Sequence, residues 1–346
     1  MLLLIVEFDY THRIKDKNLL ITPLNWGLGH ATRCIPIIKS AIKHCKSVTI
    51  ASDGIALVAL RETFPDLKFI ELPSYNIIYK FESMVLNGIL QYPKVVQAIK
   101  GEKQIVGDIV KADSIDLILS DNRFGCHHPE AENIFITHQL NLQHPSSIIR
   151  YIINYQNKKW LRNFSSIWVP DYRNSKLSGK LSDPTKFKNV KFIGPQSTYY
   201  KTEQSKIIDI LFVLSGPEPQ RTKLEKELLR IASFLNSYSI VMVSGSQTPP
   251  EVNIPENVSY HKFMIGEELN RLYNTSKLLV CRSGYSTIMD IDELKIPNIL
   301  IPTPGQTEQE YLAKFRYQKK LSDLCRQNQI SDQLIIKIEE ILKKVS

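Results

Sequence analysis

The sequence predicts an α/β protein built from two consecutive doubly wound parallel-sheet domains, and three observations predict it. At 346 residues the chain suits two domains of roughly 150 to 170 residues better than one. Short apolar runs alternate with helical patterns along its length. The runs are uniformly apolar, as strands buried on both faces of a parallel sheet must be. In the first half they are NLLITPL, SVTIAS, LKFIELP, DLILSD, NIFITH, SIWVP and VKFIGP; in the second, IDILFVLSG, SIVMVSG, NVSYHKF, LLVCRSG and NILIPTP.

Residues 1–17 read as an N-terminal extension, or a start-site artefact: the apolar start has neither the basic flank nor the cleavage site of a signal peptide. The first domain is then 18–197 and the second 198–346, joined near GPQSTYYKTEQSK, where Gly, Pro and polar residues interrupt the pattern. In the helix expected over 31–45, Ile35, Ile38, Ile42 and Cys45 share one face, the expected buried one. The closing SDQLIIKIEEILKKVS reads as a helix capped by Ser331, with Lys343 and Lys344 suited to its C-terminal dipole. It is a candidate for packing back on the first domain.

Composition narrows the classes. Apolar residues make up 43% and charged residues 23%, which is globular and soluble, and no apolar run approaches the roughly 20 residues of a membrane span. Five scattered cysteines without CxxC spacing argue against disulfides and zinc and fit a reducing cytoplasm. A net charge of +9 implies an acidic partner: nucleic acid, a phosphate-bearing small molecule or an anionic membrane surface. The basic residues are dispersed and form no nucleic-acid-binding signature, so nucleic acid is not expected.

In open parallel sheets ligands lie beyond the carboxyl ends of the strands, which directs attention to the residues after each run. Gly27-x-Gly29-x-x-Thr32, with Asp53 after the next strand, superficially matches a dinucleotide fingerprint, but His30 and Arg33 crowd the turn where a pyrophosphate needs bare backbone. The turn is read instead as the acceptor side, with Gly27 and Gly29 bending the chain and His30 a general base oriented by Asp121 at the end of DLILSD. His138 follows another strand and joins the acceptor side. His127, His128, His138 and His144 lack metal-ligand spacing, and Asp290 and Asp292, two apart on a helix, diverge; no metal is expected.

In LLVCRSGYSTIMDI a buried strand delivers Ser283 and Gly284 onto a helix N-terminus, a diphosphate site to which Ser286 and Thr287 add hydroxyls and Asp290 an acceptor for ribose. VLSGPEPQR repeats the device, with Ser215, Gly216 and Arg221 as a phosphate clamp. Glu308, Gln309 and Glu310, after IPTPGQT, suit sugar hydroxyls.

CRSGYSTIMDI, followed by EQEYLA and preceded by GLGH near the start, resembles glycosyltransferase family 28, the MurG-like enzymes, over essentially the whole chain from residue 18. The resemblance implies the GT-B fold, two Rossmann-like domains facing a cleft, and inverting, metal-independent transfer from a UDP-sugar held by the second domain to an acceptor held by the first. It implies Phe263 and Met264 at the uracil, Ser283, Gly284 and Thr287 at the diphosphate, Asp290 at the ribose and Gln309 with its neighbours at the sugar. His30 matches the histidine of the family's glycine loop. The family's ribose glutamate is Asp290 here, and its second sugar-reading glutamine is Glu310. Donor sugar and acceptor therefore do not carry over. The alternatives are a UDP-sugar 2-epimerase-like isomerase and a non-catalytic nucleotide-sugar-binding protein.

Residues 146–164, SSIIRYIINYQNKKWLRNF, mix Trp160 and Phe164 with Arg150, Lys158, Lys159 and Arg162. They read either as an amphipathic segment on anionic lipid, placing the protein peripherally at the inner face of the membrane, or as a core-facing helix with solvated lysines.

Overall fold

The computed structural model describes residues 8–75, 84–246 and 248–345, with the backbone alone for 84–90. The chain divides into two compact units, Met1–Gln196 and Ser197–Ser346.

The first unit runs α1 (Thr11–Ile14), β1 (Asn18–Pro23), α2 (Leu28–His44), β2 (Ser47–Ser52), α3 (Gly54–Thr63), β3 (Lys68–Glu71), α4 (Met84–Asp113), β4 (Leu117–Asp121), β5 (Glu132–Ile136), α5 (Ser147–Leu161), β6 (Ser166–Val169) and β7 (Val190–Phe192). Its strands form one sheet in the order β3-β2-β1-β4-β5-β6-β7, every pair parallel. The apolar runs are explained by burial on both faces. Leu19, Ile21, Leu117 and Leu119 pack against Ala31, Cys34, Ile37, Ile38 and Ala41 of α2. Their neighbours Leu20 and Ile118 point the other way, against Val106, Ile109 and Val110 of α4.

The second unit runs β8 (Ile208–Val213), α6 (Gln220–Ala232), β9 (Ile240–Val243), β10 (Val258–His261), α7 (Gly266–Thr275), β11 (Ser276–Cys281), α8 (Tyr285–Leu294), β12 (Asn298–Leu300), α9 (Thr307–Gln318), β13 (Asp323–Leu324) and α10 (Ile335–Val345). Its sheet, β10-β9-β8-β11-β12-β13, is also parallel throughout. Ile210, Phe212, Leu278 and Val280 face Leu224 and Leu228 of α6 and Ile338 and Leu342 of α10. Leu211, Val241, Leu279 and Cys281 face Leu269 and Tyr273 of α7 and Ile291 and Leu294 of α8.

In both sheets the connections go one way from the central strand and then reverse, so β1 and β4, and β8 and β11, flank a topological switch point. Loops after these four strands are where an open α/β sheet offers a crevice.

Four expectations need adjustment. The buried face of α2 carries Ala31, Cys34, Ile37, Ile38 and Ala41, while Ile42 is exposed, because the helix turns Arg33 inward as well. Ser331 does not cap α10: a 3-10 turn over Gln327–Gln329 and a π turn over Ile330–Leu334 precede it, and the Ser331 hydroxyl instead accepts from Arg230 Nη2 at 2.8 Å. Residues 1–7 of the N-terminal segment lie outside the described residues, but 8–14 are built into the first unit. Ile14 is fully buried, Phe8 and Tyr10 pack on Trp168, and Phe8 N–H donates to Phe192 O at 2.9 Å. The segment after Gln196 is tied to α7, with Tyr200 N–H on Asn270 Oδ1 at 3.0 Å and Thr202 N–H on Asn274 Oδ1 at 2.7 Å.

Helix α5 packs one face on the core and exposes the other. Trp160 packs on Phe124 with ring centroids 4.7 Å apart, and Leu161 and Phe164 are buried. On its outer face Ile148, Tyr151, Ile152 and Tyr155 are all more than half exposed, at the i, i+3, i+4, i+7 spacing of one helical stripe. Exposed Lys158, Lys159 and Arg162 continue that stripe.

Candidate active site

In the first unit β1 leads into a turn at Gly27, whose φ of 72° suits glycine, and α2 begins at Leu28 with no side chain capping it. Asn25 anchors this turn by donating to Asp53 Oδ2 at 3.1 Å. His30 therefore stands in the first turn of α2, and Gly29 lends its carbonyl to Thr32 Oγ1 at 3.2 Å. Across the switch point Asp121 pairs in register with Pro23, which brings its carboxylate to the same place. His30 Nδ1 lies 3.0 Å from Asp121 Oδ1.

Arg33 joins this pair. Its Nε donates to Asp121 Oδ2 at 2.6 Å, its Nη2 is in close contact with Oδ1, and Nη2 also stands 2.8 Å from His30 Nδ1. The Cys34 thiol donates to Oδ2 at 3.3 Å. Burial alone would raise the fully buried Asp121 carboxyl, but Arg33 and His30 outweigh it and hold it well below the usual range. Burial lowers the His30 imidazole, and Arg33 lowers it further against the pull of Asp121. Both effects disfavour the imidazolium, and the side chain keeps 16% exposure.

His138 is not on an open acceptor surface as expected: it is buried, with Nδ1 3.4 Å from Arg33 Nη1. Asp53, the apparent ribose acid of a dinucleotide site, is buried against Arg123, which also pairs with buried Glu102 at 2.9 Å.

In the second unit the α8 turn is anion-receptive. Gly284 precedes the helix with no side chain capping it, and its first turn holds no acid, as an anion at a helix N-terminus requires. Ser286 and Thr287 sit on that turn, half-buried. A Cβ at Gly284 would meet only Thr287 Oγ1, at 3.9 Å. Buried Ser283 donates to Gln309 O at 2.8 Å, joining the end of β11 to α9. Ser215 and Gly216 after β8 are exposed, Gly216 with φ 110°.

Between these turns lies a residue the sequence reading passed over within CRSG. Arg282 is fully buried, donates to the carbonyls of Ile301, Pro302 and Gln220, and leaves Nε without a partner. No carboxylate pairs with it among the described residues, and burial alone lowers it to about 10. The Thr303 hydroxyl after β12, also buried, is likewise without a partner. A Cβ on Gly216 would stand 3.5 Å from Thr303 Oγ1 and 3.9 Å from Arg282 Nε, so the glycine lies directly against both atoms. A cation at the end of a buried strand was the available signal. That no carboxylate pairs with it was not.

Other expected ligands are engaged internally. Arg221 is not a free phosphate clamp: it is buried, with Nε on Glu218 at 2.5 Å, Nη1 on Ser244 Oγ at 2.9 Å and Nη2 on Thr222 at 2.7 Å, and Glu225 lies 3.3 Å from Nη1. Gln309 Oε1 accepts from Thr303 N–H at 2.9 Å and Glu310 Oε1 from Gly305 N–H at 3.0 Å, so these side chains close their own loop. Glu308 shares the first turn of α9. After β10, Phe263 is 39% exposed, whereas Met264 packs on the core. Asp290 accepts from Ser197 Oγ at 2.7 Å, and burial pushes its carboxyl up to about 7. Among the described residues no group of three or more His, Cys, Asp or Glu is placed to hold a metal ion.

Two parallel-sheet units with switch-point sites define a GT-B protein. Residues 211–346 match the model of the glycosyltransferase family 28 C-terminal domain. An uncharacterized glycosyltransferase of Methanosarcina acetivorans is 24% identical over 337 residues, 87% of this chain and 82% of that protein. The UDP-N-acetylglucosamine--N-acetylmuramyl-(pentapeptide) pyrophosphoryl-undecaprenol N-acetylglucosamine transferase of Clostridium botulinum is 26% identical over 134 residues, 37% of each chain. The crystal structure of Acinetobacter baumannii MurG superposes with a TM-score of 0.56 at 12% identity, covering 94% of this chain and 92% of its own. Together these matches support a GT-B, family-28-like glycosyltransferase.

The Asp290 carboxyl titrates near 3.8 when unfolded and about 7 when folded, so ionisation between those values favours the unfolded chain. The stability it contributes is fully present below the lower value and lost as pH rises through the upper one. Asp290→Asn, which cannot ionise, is therefore expected to gain stability relative to wild type on going from about pH 5 to about pH 8. Urea unfolding of both proteins at the two pH values measures this; a constant difference would show that Asp290 titrates as an ordinary carboxyl.

Proposed function

We propose that this glycosyltransferase moves a sugar from a UDP-sugar to an acceptor hydroxyl with inversion. The second unit holds the donor, and His30 of the first is the general base. The observation that carries the reading is Arg282: a buried cation without a carboxylate, beside an unpartnered Thr303 hydroxyl and the uncapped α8 turn. A buried charge is costly unless something balances it, and a diphosphate supplies two or more negative charges and acceptors for these donors. Ser283, Gly284, Ser286 and Thr287 would line the diphosphate, and Ser215 and Gly216 its other side. Exposed Phe263 would meet the base, and Asp290 the ribose in place of Ser197. The clostridial relative's name specifies a UDP-linked donor, which supports uracil at that position.

In the transfer, the acceptor oxygen bonds to the anomeric carbon as its proton passes to His30 Nε2. The bond from that carbon to the β-phosphate oxygen breaks, and UDP leaves with the electron pair. His30 needs its own proton on Nδ1, toward Asp121, for Nε2 to be bare. Arg282 and the α8 turn would stabilise charge gathering on the leaving phosphate, so no divalent metal is required in this scheme.

Mass spectrometry after incubation with UDP-sugars and candidate acceptors tests the reading, with EDTA present in a parallel arm. Transfer supports it, and loss of activity in EDTA counts against the metal-free scheme. A 2-epimerised sugar, or binding without turnover, would replace it by an isomerase or a binding protein. Gly284→Val should abolish UDP-sugar binding by calorimetry while sparing the fold, because only Thr287 lies near the new side chain; unchanged affinity would place the donor elsewhere. His30→Ala should lower kcat by about 10² to 10⁴ with donor binding retained. A variant within about threefold of wild type, with chemistry rate-limiting, would return His30 to a structural role.

The outer face of α5 is further proposed to rest on anionic lipid, at the inner surface of a cytoplasmic membrane. Its apolar residues suit the acyl boundary, and Lys158, Lys159 and Arg162 on the same face suit phosphate headgroups. Among the described residues no helix is long and apolar enough to cross a membrane. Co-sedimentation with anionic but not zwitterionic vesicles, weakened by salt and by Tyr151→Asp, is expected; equal pelleting of wild type and variant would remove the idea.

A further inference from the structure

The Asp121 carboxylate serves two partners, and the one that holds it more fully is not His30. Arg33 lies three residues after His30 on the same helix and grips both carboxylate oxygens, Oδ2 through Nε at 2.6 Å and Oδ1 through Nη2. His30 reaches only Oδ1, already taken by the guanidinium. The same Nη2 stands 2.8 Å from His30 Nδ1. A protonated imidazole would therefore sit against a cation while sharing an anion whose charge is already balanced.

We propose that Arg33 is a positioning residue for His30: by occupying Asp121 and placing its guanidinium against Nδ1 it disfavours the imidazolium and keeps the imidazole neutral where a His–Asp pair alone would hold a proton. The role rests on the reading of His30 as the base. Every charged or titratable group against the ring is consistent with it. Asp121 comes from β4, Arg33 and Cys34 from α2, and His138 from the segment after β5. Of these Asp121 alone is anionic, since burial raises the Cys34 thiol well above its usual range. The α2 N-terminus adds a further positive field. A His–Asp pair without the arginine would have a stronger base, but one protonated over more of the acid range. With it the base is weaker but rarely occupied by a solvent proton.

The test uses Arg33→Lys and Arg33→Gln. A lysine keeps the charge but cannot span both oxygens, and glutamine keeps hydrogen-bonding capacity without charge. In each the His30 titration midpoint, followed by imidazole ¹⁵N NMR, should rise, by about one unit in Arg33→Gln and less in Arg33→Lys. The acid limb of kcat/KM should move up by the same amount. If Arg33→Gln does not fold, Arg33→Lys and the wild-type titration still decide. A His30 midpoint in wild type at or above that of an ordinary histidine overturns the proposal, as does a folded Arg33→Lys with an unmoved midpoint. A shifted midpoint with an unmoved rate profile upholds Arg33's control of the imidazole and sinks instead the reading of His30 as the base.

Discussion

The constraint on which everything else depends is that the strands of each sheet run parallel and that the central ones are buried on both faces. Parallel strands put all their carboxyl ends on one edge, and burial leaves the loops beyond that edge as the place where polar chemistry meets solvent. The reversal of strand order between β1 and β4 opens the first unit's edge where His30 and Asp121 meet, 3.0 Å apart. The same reversal between β8 and β11 opens the second unit's edge at Gly216 and Arg282. One topology used twice thus gathers a histidine–carboxylate pair in one unit and a buried arginine beside a helix N-terminus in the other. They differ only in which side chains the loops carry.

The difference is clearest in the buried arginines. Arg33 is neutralised by Asp121, Arg123 by Asp53 and Glu102, and Arg221 by Glu218 and Glu225. Arg316 has the charge of Asp292 nearby. These satisfy the rule that a buried charge is paired, and they fix the loops around the strand ends. Arg282 breaks the rule: three carbonyls hold its ends, and no acid answers its charge. Among the described residues, a buried cation that no carboxylate balances stands beside a helix N-terminus without a side-chain cap, and the proposed diphosphate site rests on that pair.

Twelve of the thirteen strands were legible as apolar runs, the central ones because burial on both faces leaves little other composition open to them. The exception, Asp323–Leu324, is two half-buried residues at a sheet edge, with no run to read. His30 and Asp121 were legible because topology alone brings the ends of β1 and β4 together. Arg33 was seen only as crowding the turn, since a sequence shows a donor but not its partner. The same blindness made Arg221, Gln309 and Glu310 look available to a ligand, although each is spent on its own loop. On α2 Ile38 is buried and Ile35 and Cys45 pack on the same core as expected; Ile42 alone of the four is exposed, since Arg33, drawn in by the buried Asp121, shifts the inward face.

The glycines separate folding from function within these loops. Gly27, at φ 72°, has open space where a side chain would go, so the backbone conformation is what requires glycine there; the turn must bend to set His30 on α2. Gly284 is the reverse case. Its φ of −65° and ψ of 147° are open to any residue, and a Cβ would make only an ordinary contact with Thr287. Neither strain nor packing asks for a glycine at that position. What a side chain would obstruct is approach to the backbone of the α8 turn, the place that the proposal gives to the donor diphosphate.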